Sequence, residues 1–201
     1  MFPTIKSELS HTIKCVENAN KKIIKVNSVS SIGKTRAKVI LNSTDTPGNP
    51  TSVSFDGRSV EAVYDWKYID RKYAYKGNDL GCMMIGDEAV IKLWAPLAEK
   101  VGFILFDKDN QNKQILTKSM IKGENGVWTI SLTLKDLEKA KYFTDSLRGF
   151  YYQFEVKNIG KEPVRVLDPY ARSMAAVTVD SDASDGGSTH DLVGKAAIVD
   201  M

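Results

Sequence analysis

The chain has 201 residues, of which 42% are hydrophobic and 26% are charged, and its formal net charge is +3. A chain of this length and composition is expected to fold around its own core, without a metal or a disulfide framework. No run of Lys or Arg is dense enough to follow a phosphate backbone, which excludes nucleic acid as an expected partner. No segment has the apolar length of a membrane span or the pattern of a signal peptide. We therefore expect no membrane partner and no export signal in the chain, and its compartment stays open.

The first third of the sequence contains short apolar runs separated by turn residues. Strands are predicted at residues 22–26, 37–41 and 52–55. From residue 64 the sequence is aromatic and charged without a clear period, which is typical of a connector crossing a surface. We therefore predict a β-rich N-terminal domain or arm over residues 1–65 and a connector over residues 66–82.

The β pattern becomes sharper in the rest of the chain. Strands are predicted at residues 89–95, 101–106, 127–134, 150–156, 164–167 and 176–179, with one short helix at 136–141. This spacing is typical of a sandwich of about seven short strands, which we place at residues 83–179. The polar, glycine-rich segment that opens residues 180–201 is predicted to be a loop. The fold class is accordingly all-β.

Few residues could ligate a metal or act as a nucleophile. Cys15 and Cys82 lie far apart and match neither a disulfide framework nor a zinc pattern. His11 and His190 are the only histidines, and neither lies near a cysteine or a paired carboxylate. No zinc site, no His-based triad and no cofactor is predicted.

An acidic segment comes near a calcium-binding pattern. Asp180, Asp182 and Asp185 precede a glycine that lies one place late for a calcium loop, and Asp191 takes the place of the bidentate Glu. We predict a solvated acidic loop here and no metal.

Strand alternation sorts the two tryptophans of the predicted sandwich. In residues 127–134, Trp128 shares a face with the apolar residues and is predicted to lie in the core. In residues 89–95, Trp94 lies opposite the apolar face, where an indole could stack on a sugar or pack on another protein surface. Both interpretations of Trp94 stay open.

A second candidate patch lies on the predicted strand at residues 150–156. Alternation places Tyr151 and Gln153 on the outer face, where an aromatic ring and an amide suit a sugar ring and its hydroxyls. The alternative is an ordinary solvated face.

Several motifs in fixed order carry a family resemblance. They begin with Tyr75-Lys-Gly-Asn-Asp-Leu-Gly81 and Ile91-Lys-Leu-Trp-Ala-Pro-Leu-Ala98. Further matches follow at residues 101–106, 126–128, 149–156, 166–175 and 195–200. Together they resemble the module that precedes the catalytic barrel in type I pullulanases. That module is the glycoside hydrolase family 13 N-terminal domain, classed as carbohydrate-binding module family 48.

The resemblance implies an immunoglobulin-like β-sandwich with an accessory role in an enzyme that cleaves α-1,6-glucosidic bonds. It implies packing on the barrel and contact with an α-glucan such as starch, glycogen or pullulan. In the family the barrel follows a segment like 195–200 and supplies two catalytic carboxyl groups, about 5 Å apart in retaining glycosidases. Residues 180–201 would therefore include the start of a linker to that barrel. The isolated chain, which stops at Met201, is expected to have no catalytic residues and to hydrolyse nothing.

The resemblance also bears on the site residues. Glycogen-binding members of the class use loop tryptophans and a strand Lys, whereas Gln153 stands at the Lys position and the corresponding loops lack Trp. Two expectations remain: weak glucan contact, with Trp94, Tyr151 and Gln153 as the candidate residues, or a purely structural role against the barrel. Asp168 and Tyr170 lie near the junction with the barrel in the resembling enzymes and are the predicted interface residues, with a plain turn as the alternative.

Two other functions remain open at this point. The chain could be a stand-alone α-glucan-binding adaptor, which predicts sugar affinity without any barrel. It could instead be an inert truncated fragment, with an abnormally apolar surface where the barrel would pack.

Overall fold

The computed structural model describes residues 13–32, 36–42, 48–63, 65–175 and 193–200. The chain divides into two compact units, Met1–Arg71 and Lys72–Met201, called here the N-terminal unit and the C-terminal unit. Their regular structure is almost entirely antiparallel β, which confirms the all-β prediction. Within the described part of the chain, no helix is long and apolar enough to cross a bilayer.

The N-terminal unit is built on one five-stranded sheet. Its strands are β1 (Lys14–Glu17), β2 (Ile23–Ile32), β3 (Arg36–Asn42), β4 (Thr51–Phe55) and β5 (Arg58–Ala62). They are ordered β3-β2-β1-β4-β5, so that the first strand of the sequence lies in the middle. Cys15 and Ile24 pair across β1 and β2 and are buried on one face.

A short helix, α1 (Trp66–Lys72), occupies the first part of the predicted connector. Its first turn forms because the Asp65 carbonyl accepts hydrogen bonds from Tyr68 N–H and Ile69 N–H. The Asp65 carboxylate also accepts one from Lys67 N–H at 3.1 Å. Two turns are too short for a helical apolar period to show in the sequence.

The C-terminal unit is a sandwich of two antiparallel sheets. Its elements are β6 (Gly81–Ile85), β7 (Glu88–Trp94), β8 (Ala98–Phe106), β9 (Gln114–Ser119), β10 (Ile121–Lys122), β11 (Val127–Leu132), α2 (Leu134–Lys139), β12 (Tyr151–Asn158), β13 (Val164–Val166) and β14 (Ala196–Ala197). One sheet has the order β10-β11-β7-β6. The other has the order β13-β12-β8-β9, and β14 pairs with β12.

The core of the sandwich lies between the two sheets and is rich in aromatic rings. Phe103, Tyr152 and Phe154 are fully buried, and the Phe103 and Tyr152 rings stack with centroids 5.5 Å apart. Trp128 is 5% exposed and its indole N–H donates to the Ala95 carbonyl at 3.0 Å. The predicted core position of Trp128 is confirmed.

The ends of the sandwich differ from the expected segments. Strand β6 begins within residues 66–82, and strand β14 lies in the segment assigned to a linker, where Ala196 and Ile198 are fully buried. A two-residue strand has too little sequence for an alternating pattern, so its pairing with β12 could not be predicted. The predicted strand 176–179 lies outside the described residues.

Candidate functional site

Trp94 lies at the end of β7, on the outer face of its sheet. The burial of β7 alternates as predicted, with Ile91 and Leu93 in the core and Lys92 and Trp94 half-buried on the other face. The Trp94 indole N–H donates to the Tyr73 and Asn125 carbonyls, each at 3.0 Å. Two acceptors on separate segments fix the orientation of the ring.

A polar network lies next to Trp94 on the same outer face. Asp79 accepts a hydrogen bond from the Tyr75 hydroxyl and forms an ion pair with Lys92. Two hydrogen bonds lower the pKa of Asp79, and the one from Lys92 has the larger effect, ahead of the one from Tyr75. The hydrogen bonds to Asp79 in turn raise the pKa of Lys92 and the pKa of Tyr75. All three groups therefore keep their ordinary neutral-pH charges.

The Tyr75 ring is held close to the backbone of Gly77. A Cβ on Gly77 would lie 2.4 Å from the Tyr75 hydroxyl oxygen, so a larger residue at this position would displace the ring from its observed place. This contact and the bond to Asp79 explain the spacing of Tyr75, Gly77 and Asp79 in the first motif. The motif thus builds a rigid polar edge beside the indole.

Cross-strand pairing completes the surface around Trp94. Thr129 of β11 pairs with Lys92, and exposed Ile121 of β10 pairs with Thr129. We define the Trp94 patch as the surface formed by Tyr75, Asp79, Lys92, Trp94 and Thr129. It combines one fixed aromatic ring with hydroxyl, ammonium and carboxylate groups, the set that a sugar ring and its hydroxyls require.

Gln153 lies on β12 in the other sheet and is completely buried. Its side-chain amide donates to the Val193 carbonyl at 2.7 Å and to the Gly194 carbonyl at 3.2 Å. Its Oε1 atom has no partner among the described residues. The expectation that Gln153 lies on an exposed face is therefore wrong, whereas Tyr151 is half-buried.

The outer face of β12, predicted from alternation to lie away from the core, is covered, and the outer face of β8 beside it is covered as well. Ile104 and Phe106 point away from the core cluster and are nevertheless only 2% and 3% exposed. The Lys195 ammonium lies 4.8 Å from the Phe106 ring centroid. A segment about forty residues further along the chain thus covers Gln153.

The three predicted sugar contacts do not form one surface. Trp94 is on the outer face of one sheet and Tyr151 is on the outer face of the other, so the whole sandwich separates them. With Gln153 buried, the structure provides no joint platform for Tyr151 and Gln153. Tyr75, Asp79 and Lys92 were not predicted as site residues, although all three lie in the motifs at residues 75–81 and 91–98.

Asp168 is inside the C-terminal unit and is 1% exposed. Its carboxylate accepts the Tyr152 hydroxyl at 2.6 Å and the Tyr170 N–H at 2.8 Å. Burial raises the pKa of Asp168. Burial and the nearby Asp168 charge also raise the pKa of Tyr152, and the same two causes raise the pKa of Cys82 to about 12. The Asp168 carboxylate oxygens are therefore used within the unit, and its side chain is too buried for direct contact with another surface.

Tyr170 remains 43% exposed and is held against β6. Gly81 has φ +90°, and a Cβ there would lie 2.9 Å from the Tyr170 carbonyl oxygen. The first motif and the Asp168-Pro-Tyr-Ala171 motif therefore meet in space at Gly81 and Tyr170.

No group of His, Cys, Asp or Glu among the described residues could hold a metal ion. The acidic positions Asp180, Asp182 and Asp185, and both histidines, His11 and His190, lie outside those residues. Both cysteines are buried free thiols.

Comparison with known families identifies the C-terminal unit. Residues 79–171 match the model of carbohydrate-binding module 48, the isoamylase N-terminal domain. This match contains β6 to β13, the Asp168 turn and every residue of the Trp94 patch except Tyr75.

Curated and solved relatives agree with this match. Pullulanase A of Streptococcus pneumoniae serotype 4 is 34% identical over 154 residues, which cover 76% of this chain and 11% of that protein. The crystal structure of the group B Streptococcus pullulanase SAP has a TM-score of 0.75 at 30% identity and covers 97% of this chain. Its complex with maltotetraose has a TM-score of 0.73 at 28% identity and covers 96%.

This chain spans only a small part of each relative, 24% and 23% of the two SAP chains. Its C-terminal unit contains the motifs and the immunoglobulin-like sandwich, and residues 79–171 of that unit carry the family match. The chain therefore contains a carbohydrate-binding module 48 domain of the isoamylase N-terminal type and is homologous to part of the bacterial pullulanases.

Proposed function

We propose that this chain is a non-catalytic accessory module that contacts α-glucan through the Trp94 patch and serves a glycoside hydrolase of the pullulanase type. The observation that carries the proposal is the match of residues 79–171 to a carbohydrate-binding module family. A solved relative in complex with maltotetraose makes a linear α-glucan the first ligand to test.

The geometry of the patch supports sugar contact at Trp94. Its indole is fixed by two carbonyl acceptors before any ligand arrives, so little side-chain entropy is lost on binding. The neighbouring Asp79 can accept from sugar hydroxyls and Lys92 can donate to them. The ion pair that joins them keeps both side chains in place.

A docking role for the Asp168 turn forms the second part of the proposal. Asp168 accepts the Tyr170 N–H and thereby orients a partly exposed ring, while Met174, 49% exposed, lies a few residues further along the same segment. An exposed Tyr and Met on a fixed turn suit packing on a neighbouring domain, here the catalytic barrel. Asp168 acts as the positioning residue for this contact.

Titration with maltoheptaose, followed by tryptophan fluorescence, tests the sugar site. The titration uses a Trp66→Phe background, which removes the exposed indole of the N-terminal unit. We expect the sugar to quench the remaining fluorescence in a saturable way, with weak affinity. Trp94→Ala is expected to weaken binding by about tenfold or more, because it removes the stacking surface. Titration calorimetry measures the affinity of this variant, because its remaining indole, Trp128, is buried.

The controls separate loss of the site from loss of the fold. Tyr151→Ala, on the outer face of the opposite sheet, should leave the affinity unchanged. Thr129→Glu keeps the indole in place and puts a charged chain over the patch, so it should also abolish quenching while circular dichroism stays native. A flat titration of the parent, or equal loss in Tyr151→Ala, would disprove the Trp94 patch as the site.

A further inference from the structure

The two faces of the N-terminal sheet carry different charges. Cys15 pairs with Ile24 on one side and with Val53 on the other, so these three side chains lie on one face of the sheet. The opposite face, called here the basic face, is exposed and carries four cations: Lys14, Lys25, Arg36 and Lys38. Its one strand carboxylate, Glu61, accepts a hydrogen bond from Asn18 at 3.0 Å. The excess of positive charge is thus concentrated on one side of the sheet.

Two of the cations stand side by side. Lys14 precedes Cys15 and Lys25 follows Ile24. Because Cys15 pairs with Ile24 in antiparallel strands, Lys14 and Lys25 are neighbours on β1 and β2. Among the described residues neither forms an ion pair. Like charges on neighbouring strands repel each other, so this pair does not stabilise the sheet and concentrates positive charge at one place on the face.

The basic face also exposes large apolar side chains. Ile23, Ile32 and Ile40 are 74%, 49% and 45% exposed. Their pairing with Val16, Arg36 and Ser28 places all three on the same face as the cations. Strands β2 and β3 therefore present isoleucines, cations and small polar residues on one surface.

We propose, against the expectation from the sequence that there is no membrane partner, that the basic face binds the surface of an anionic lipid bilayer. Lysines and arginines near such a surface are attracted by its negative potential, and exposed isoleucines gain free energy by entering the boundary between head groups and acyl chains. A soluble polyanion would attract the cations and would leave the three isoleucines in water. The combination on one exposed sheet face therefore favours a bilayer over a soluble polymer.

Sedimentation with vesicles of equal parts phosphatidylglycerol and phosphatidylcholine tests this proposal on the full chain. We expect binding that weakens as salt rises and that is absent with pure phosphatidylcholine. Lys14→Glu/Lys25→Glu should lower the partition coefficient by about 25-fold or more, at about fivefold per cation lost. Ile23→Ser/Ile40→Ser should lower it by about tenfold.

The matched control is Lys139→Glu/Lys161→Glu. It changes the net charge by the same amount as Lys14→Glu/Lys25→Glu, but at two exposed lysines of the C-terminal unit. It should retain nearly all binding, and circular dichroism should show native strand content for every variant. Absence of binding to the anionic vesicles would overturn the proposal. So would equal binding to soluble polyphosphate with no effect of the isoleucine changes, a result that would assign the face to a soluble polyanion.

Discussion

Gly126→Ala is expected to lower the free energy of unfolding of the C-terminal unit by about 3 kcal/mol or more. Gly126 has φ +72°, and a Cβ there would lie 2.4 Å from the Cα atom of Pro96. The two segments cannot separate freely, because Ala95 N–H donates to the Gly126 carbonyl at 3.0 Å. Denaturation followed by the fluorescence of Trp94 and Trp128, in the Trp66→Phe background, measures the loss.

Gly86→Ala is the matched control for this change. Gly86 also has positive φ, +61°, but no atom lies within 4 Å of the position that a Cβ would take. It should cost about 1 kcal/mol, which is the conformational penalty without a clash. An equal cost at Gly86 and Gly126 would contradict the close packing against Pro96.

Tyr152→Phe is expected to lower the free energy of unfolding by about 2 to 3 kcal/mol at neutral pH, since it leaves the buried Asp168 carboxylate without its hydroxyl donor.

This loss of stability should become smaller as the pH falls. Burial raises the folded-state pKa of Asp168, so the protonated form is favoured by folding. The stability that Asp168 contributes is complete below its unfolded pKa and is lost as pH rises through the raised pKa. A protonated Asp168 has less need of the donor, and the penalty should be smaller near about pH 4 than at about pH 7.

Asp168→Asn provides the comparison for a double-mutant cycle. In that background no charge needs the Tyr152 hydroxyl, so Tyr152→Phe should cost less and show little dependence on pH between those two values. Urea denaturation at both pH values measures the four proteins. A penalty for Tyr152→Phe that is the same in the parent chain and in the Asp168→Asn background would contradict a direct hydroxyl–carboxylate bond.

Local alternation was enough to predict the core side of the sandwich. The pattern of residues 127–134 placed Trp128 inside, and that of 89–95 placed Trp94 outside, because both depend only on neighbours in the same strand. The same reasoning failed at Gln153. Its burial depends on Val193 and Gly194, about forty residues later, and an outer face covered by a distant segment has no local signature.

The role of Asp168 shows the same limit. Pro169 correctly indicated a turn, yet the partner of the buried Asp168 carboxylate is Tyr152, sixteen residues earlier and in a different motif. The charge separation in the N-terminal sheet was also hidden, because it depends on register and a bulge between Val26 and Ser28. A sum of charges along the chain cannot show which face carries them.

The most direct test of the Trp94 patch is an NMR titration of the ¹⁵N-labelled chain with maltoheptaose, observing the three indole N–H signals. We expect a saturable shift at Trp94, with backbone shifts confined to its neighbours at Tyr75, Asp79, Lys92 and Thr129. The signals of buried Trp128 and of Trp66, which belongs to the N-terminal unit, should stay unchanged. Shifts centred on Tyr151, or none at any indole up to about 10 mM sugar, would contradict it.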